Sequence, residues 1–160
     1  MNNGHIDLTI TNTDLEALEF NDFFQCYQQT PETELYYTKH NSSIWQMFDE
    51  SPEWVHNLAQ QVPQVFNHHV VSVIKLLPGH TIPLHRDYHY KLRKQHNLEG
   101  LTYRYLVFLE DWKSGHYFEL LDKPIVGWRA GDWVRFSNED WHLAGNMGTQ
   151  PFYTAQVTVG

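Results

Sequence analysis

The sequence predicts a mainly β fold: a barrel or double-sheet jelly roll with helices packed outside one sheet. Three observations predict it. From residue 70 onward, short β-branched and aromatic runs recur at regular spacing. Turn signals divide them: Pro78-Gly79, Lys113-Ser114-Gly115, Ala130-Gly131-Asp132 and Gly145-Asn146. The charge changes at the same place. Residues 1–69 carry one base and ten acids, whereas residues 70–160 carry ten bases and nine acids. No Gly/Ser-rich or Pro-rich linker sits at that boundary. The reading is therefore a single domain over residues 1–160, with 1–69 as an N-terminal addition and 70–160 as the core.

The N-terminal part reads as helical and irregular. Asp14 is placed to cap a helix over residues 14–29, with Phe20, Phe23, Phe24 and Tyr27 as its apolar face. Thr30-Pro31 ends it. Ser51-Pro52-Glu53 combines a hydroxyl cap, a proline and an acid at the positive end of a second helix. Trp54, Val55 and Leu58 form its buried side, and Pro63 closes it. The predicted strands then follow over residues 70–77, 102–109, 117–121, 133–136 and 152–159.

Composition excludes several function classes. One cysteine, Cys26, rules out an internal disulfide framework and a cysteine-rich zinc site. The net charge of −8 argues against a duplex-DNA or anionic-membrane binder, because neutralising phosphates needs a basic face. No apolar run approaches the ~18 residues of a membrane span, and the N-terminus has no signal-peptide pattern. The expectation is a soluble cytoplasmic protein that acts on a small molecule or peptide. Eleven histidines against nine glycines direct attention to metal chemistry.

The segment Pro78-Gly79-His80-Thr81-Ile82-Pro83-Leu84-His85-Arg86-Asp87 is the most informative. His85 and Asp87 are two apart, so extended backbone points both the same way. An imidazole beside a carboxylate supplies two ligands of a facial metal site. His142, after a later β segment and turn, supplies the third. Two histidines and one carboxylate on one face of iron leave three positions open for a bidentate cosubstrate and dioxygen. The helical HExxH arrangement of many zinc hydrolases is absent.

Pro-Gly-x-x-x-Pro-x-His-x-Asp, a strand ending Leu-x-Asp, then Gly-Asp and a distal His with Asn four residues on resembles the Fe(II)/2-oxoglutarate dioxygenases. It is similar in particular to the small prolyl- and aspartyl/asparaginyl-hydroxylase-like members. The resemblance covers residues 70–160. It implies a double-stranded β-helix with iron at its open end, held by His85, Asp87 and His142. It also implies 2-oxoglutarate as cosubstrate, dioxygen as oxidant, and hydroxylation of an unactivated C–H with release of succinate and CO2.

Family members often place the arginine for the far cosubstrate carboxylate on the strand after the distal histidine. Residues 151–157 contain no Arg or Lys. Arg104, alone in an apolar and aromatic strand, is the first choice for that anchor, and Arg135 the second. Asn146 either fixes the distal turn or touches cosubstrate. Residues 88–100 read as a polar loop in which Lys91, Arg93 and Lys94 form part of a substrate lid. His80, His89, His96 and His116 read as solvent or loop histidines. The rival reading is a cupin-like metal or small-molecule binder without oxygenase activity. Gly131-Asp132 with His142-x-x-x-Asn146 also fits a cupin motif, although His85-Arg86-Asp87 stands where cupins usually carry His-x-His.

Overall fold

The computed structural model describes residues 2–22, 44–47, 52–63 and 66–160. Among them the N-terminal part supplies β1 (Asn2–His5), α1 (Asn12–Glu16), β2 (Asn21–Asp22), β3 (Ile44–Met47) and α2 (Glu53–Gln61). The rest supplies β4 (His69–Leu76), β5 (His80–His85), α3 (Tyr90–His96), β6 (Tyr103–Phe108), β7 (His116–Leu120), β8 (Lys123–Ile125), β9 (Asp132–Ser137), β10 (His142–Asn146) and β11 (Phe152–Val159). No helix among the described residues is long and apolar enough to cross a membrane.

Two antiparallel sheets result. The larger runs β1-β9-β6-β11-β4-β3-β2 and the smaller β5-β10-β7-β8. Consecutive strands thus alternate between sheets from β4 to β7, the pattern of a jelly roll. Strand periodicity gives the larger sheet two buried faces. Ile74, Leu76, Leu106, Phe108, Val134 and Phe136 face the smaller sheet and meet Phe118, Leu120 and Ala144. Val71, Val73, Tyr105, Val107, Trp133 and Val157 face the other way and are covered by Val55, Leu58, Ala59 and Val62 of α2 and its C-cap. The helix packs outside one sheet, as expected. One end of the interior is filled by rings, with Trp128 stacked on Phe108 at 4.0 Å. At the other end the inward positions turn polar: Ser72, Arg104, Gln156 and Thr158. The site described below lies there.

Several sequence expectations change. The first helix spans Asn12–Glu16 only, capped by Thr11 with Asp14 completing the capping box. The chain then turns to Asn21–Asp22, which pairs with β3, so sheet pairing overrides the helical spacing. Phe20 packs on the outer cluster, 6.1 Å from Tyr153, while Phe23, Phe24 and Tyr27 lie outside the described residues. In α2, Pro52 occupies the N-cap position, and Ser51 lies outside the described residues. Gly145-Asn146 is strand and not turn. The predicted loop over residues 88–100 contains α3, whose Leu92 is fully buried. Gly131 does make its turn: it has φ +91°, and a Cβ there would meet the Ile6 carbonyl oxygen at 2.0 Å.

Candidate metal centre

β5 delivers the first candidate ligand through an irregularity. His142 pairs with His85, but Ala144 pairs with Ile82, so Pro83 and Leu84 together oppose Leu143. This bulge puts Ile82, which packs on the inner core, and His85, three residues on, on the same side. Pro83 is tolerated there because a bulge needs fewer ladder N–H groups. The chain leaves the strand after His85, and Asp87 folds back beside it. β10 presents His142 in register with His85 and Leu120.

The ligand atoms of His85, Asp87 and His142 all lie within 4.8 Å of one another. His85 Nε2 is 3.6 Å from Asp87 Oδ1, and His142 Nε2 is 3.3 Å from Asp87 Oδ2. The other nitrogen of each ring fixes its tautomer. His85 Nδ1 donates to the Pro83 carbonyl at 2.7 Å and His142 Nδ1 to the Asp140 carbonyl at 3.0 Å. A carbonyl can only accept, so both protons sit on Nδ1 and both Nε2 lone pairs face the carboxylate. Three electron-pair donors converging in this way suit a divalent cation, and backbone orientation of ligating imidazoles is how metal sites are held. The donor set, two imidazoles and one carboxylate, fits ferrous iron. His142 is further fixed by Phe136, with ring centroids 4.5 Å apart.

Arg104 points into the same space. Its Nη1 donates to Asp87 Oδ2, and its Nε donates to Thr158 Oγ1 at 3.1 Å. Burial opposes ionisation of Asp87, but the Arg104 charge beside it outweighs that cost. It holds the carboxyl well below the usual range. Arg135, the second candidate anchor, lies on the opposite face. Its guanidinium sits 4.2 Å from the Tyr103 ring centroid, on the α2 side of the sheet. Asn146 does not reach the site either. It is fully buried at the other end of β10, donates to the Leu76 and Gln150 carbonyls, and accepts from Gly148 N–H. Arg93 turns back onto the Gly100 and Leu98 carbonyls. Lys94 lies over the Tyr90 ring at 5.6 Å, and Lys91 is half-buried on α3.

Sequence reasoning missed His89. It is 5% exposed and adopts a left-handed backbone conformation (φ 52°). Its Nδ1 is 2.8 Å from Thr102 Oγ1, and its Nε2 is 3.8 Å from Asp87 Oδ2. The available signal was the alternation His85-x-Asp87-x-His89. His116 is also buried, but at the ring-filled end, against the Gln150 carbonyl.

Burial, aided by the Arg104 charge and opposed by Asp87, pushes His89 down to about 3. Below pH ~6.5 the unfolded chain takes up a proton that the folded protein refuses. Stability from this residue is therefore complete above that pH and lost as pH falls toward 3. The metal-free protein should lose about 2 kcal/mol on this account between pH 6.5 and 5. Asp87 adds a second loss below pH ~4, because its depressed group is protonated first in the unfolded chain. Urea unfolding across this range checks both. A His89→Phe protein with the same slope between pH 6.5 and 5 would exclude the His89 contribution.

No family model matches the chain, and no curated protein matches it in sequence. Solved structures do. A prolyl-4-hydroxylase from Pseudomonas putida is 10% identical, with 76% of this chain and 71% of that chain covered and a TM-score of 0.54. A conserved protein with a double-stranded β-helix domain from Klebsiella pneumoniae is 20% identical, covering 62% and 73%, with a TM-score of 0.41. A cupin protein from Bacteroides fragilis is 13% identical, covering 83% of each chain, with a TM-score of 0.44. The likeness is one of fold.

The fold is a double-stranded β-helix. In that frame the cluster sits between the two sheets at the polar end. His85 and His142 come from adjacent strands of the smaller sheet, and Arg104 comes from the larger. Trp141 stands beside it, half-exposed, with the Arg86 guanidinium 4.9 Å from its ring.

Proposed function

We propose that this chain is an Fe(II)- and 2-oxoglutarate-dependent oxygenase that hydroxylates an unactivated C–H of a small molecule or protein side chain. The observation that carries the reading is the convergence of His85, Asp87 and His142 on one point, with Arg104 inside the same end of the double-stranded β-helix. His85, Asp87 and His142 would hold the iron, which supplies dioxygen activation coupled to decarboxylation of 2-oxoglutarate. Arg104 still has N–H groups beyond those donated to Asp87 and Thr158, and these suit the far carboxylate of the cosubstrate. The apolar rings of Phe136 and Phe118 behind His142 keep water from one side of the site. A prolyl-4-hydroxylase among the similar folds is in keeping with this chemistry. Anaerobic addition of Fe(II) and 2-oxoglutarate should produce a weak visible charge-transfer band. Metal uptake with no band and no succinate formed in air would refute the reading.

One observation favours a second reading, a cupin-like metal or small-molecule binder. Arg104 is paired with a ligand carboxylate, as a purely structural arginine would be. The same experiment separates the two, since a binder takes up metal without consuming 2-oxoglutarate.

A further inference from the structure

His89 occupies a position that packing alone does not explain. Its imidazole is fully enclosed, and a left-handed backbone is unfavourable for a residue with a Cβ. Such strain persists where the surroundings demand one placement. The placement here leaves Nε2 buried with no hydrogen-bond partner within bonding distance, 3.8 Å from Asp87 Oδ2.

The proton on that ring can be located by counting donors. The Thr102 side chain is buried, and its hydroxyl is bonded to His89 Nδ1 at 2.8 Å. If Thr102 donates, its proton is satisfied and His89 carries its own on Nε2, aimed at Asp87. If His89 donates instead, the Thr102 proton lacks that acceptor, and a bare Nε2 lone pair faces a carboxylate oxygen. The first arrangement leaves fewer buried groups unmet. Oδ2 of Asp87 then has two neighbours with N–H groups that are not ligands, Arg104 and His89.

We infer that His89 is a positioning residue for the metal-binding carboxylate. With Thr102 fixing its tautomer, Nε2–H steadies Oδ2, so that Asp87 meets the metal in one orientation. Arg104 is then free to shift toward an incoming anion without releasing Asp87. This rests on the proposed metal site, though not on the identity of the cosubstrate. Partners of this kind around metal ligands are typically worth 10–100-fold in metal affinity.

Co(II) binding to the metal-free full-length chain tests it, by calorimetry and by the visible absorption of the bound ion. His89→Phe keeps ring volume and removes the donor, and should weaken Co(II) binding about 10–100-fold. Thr102→Val removes the tautomer constraint and should weaken it in the same direction by less. His89→Gln restores an N–H donor and should recover part of the loss. Metal-free unfolding midpoints at pH 8 should stay close to wild type, which separates positioning from a general structural defect. Equal Co(II) affinity in wild type, His89→Phe and Thr102→Val overturns the inference. A His89→Phe protein with no Co(II) binding at all also overturns it, because that is the behaviour of a ligand. If His89→Phe does not fold, unchanged affinity in Thr102→Val is itself the overturning result. Wild type that takes up no Co(II) overturns the metal site and this inference together, so the two failures are distinct.

Discussion

Asp87→Ala is expected to abolish metal binding and to destabilise the metal-free protein. These are separate consequences of one carboxylate. Asp87 is the only acid in the described ligand cluster, so without it two neutral imidazoles remain to hold a divalent ion. It is also the partner of Arg104, and these two side chains are only 18% and 14% exposed. Removing Asp87 strands a guanidinium in a mostly desolvated place. Loss of one partner of a fully buried pair costs ~3–5 kcal/mol, and the residual exposure here brings the expected cost to about 2 kcal/mol. His85→Ala and His142→Ala should lose the metal as well, with smaller changes in stability, since neither leaves a charge unpaired. Metal titration and urea unfolding of the three variants check this. Retention of metal by any one of them would remove that residue from the ligand set.

The second large effect concerns Arg104. On the proposed oxygenase reading, Arg104→Ala should raise the concentration of 2-oxoglutarate needed for half-saturation by about 100-fold, because the proposed charge-assisted fork of hydrogen bonds to its far carboxylate would be lost. Metal affinity should fall only a few-fold, through the lost contact to Asp87. Arg104→Lys should not restore cosubstrate binding, because a point charge cannot span two acceptors in a fixed plane. Arg135→Ala should leave both affinities unchanged and cost about 0.5–1 kcal/mol of stability from its place over Tyr103. Binding of 2-oxoglutarate measured with Mn(II) in place of iron gives these values. A variant that loses metal far more than cosubstrate would move Arg104 into the structural role of the binder reading.

The grouping of His85, Asp87 and His142 was legible because its information is local. His85 and Asp87 are close in sequence, and His142 stands in a recognisable order after them. Strands β4, β6, β9 and β11 of the larger sheet were legible for the same reason, through runs of β-branched and aromatic residues. What distinguishes Arg104 from Arg135 was not. Both faces of that sheet are buried, so Trp133, Val134 and Phe136 are all apolar and the parity of the strand cannot be read from them. His89 is held by Thr102, on the far side of α3 in sequence, so its place was not a local signal. β1 is polar and contains glycine, which gives it no strand signal. It pairs with β9 because Gly4 has no side chain: a Cβ there would lie 2.5 Å from the Trp133 ring. The β7–β8 hairpin was missed because Leu121 and Asp122 take left-handed conformations, with φ of 53° and 59°, that sequences usually mark with Asn or Gly.

The doubled step at Pro83-Leu84 makes this edge of the site tolerant of a lost residue. Leu84 is half-exposed, so many side chains should be accepted there. Deleting it would leave Ile82 and the imidazole two residues apart, opposite Ala144 and His142 in an even ladder. Alternation then keeps both side chains on the inner face with no bulge at all. What the present spacing does not survive is straightening: with three residues from Ile82 to His85 and an even strand, the imidazole would turn outward to solvent. Heredity can therefore vary the letter at position 84 freely, and a lost codon there should leave the imidazole facing inward.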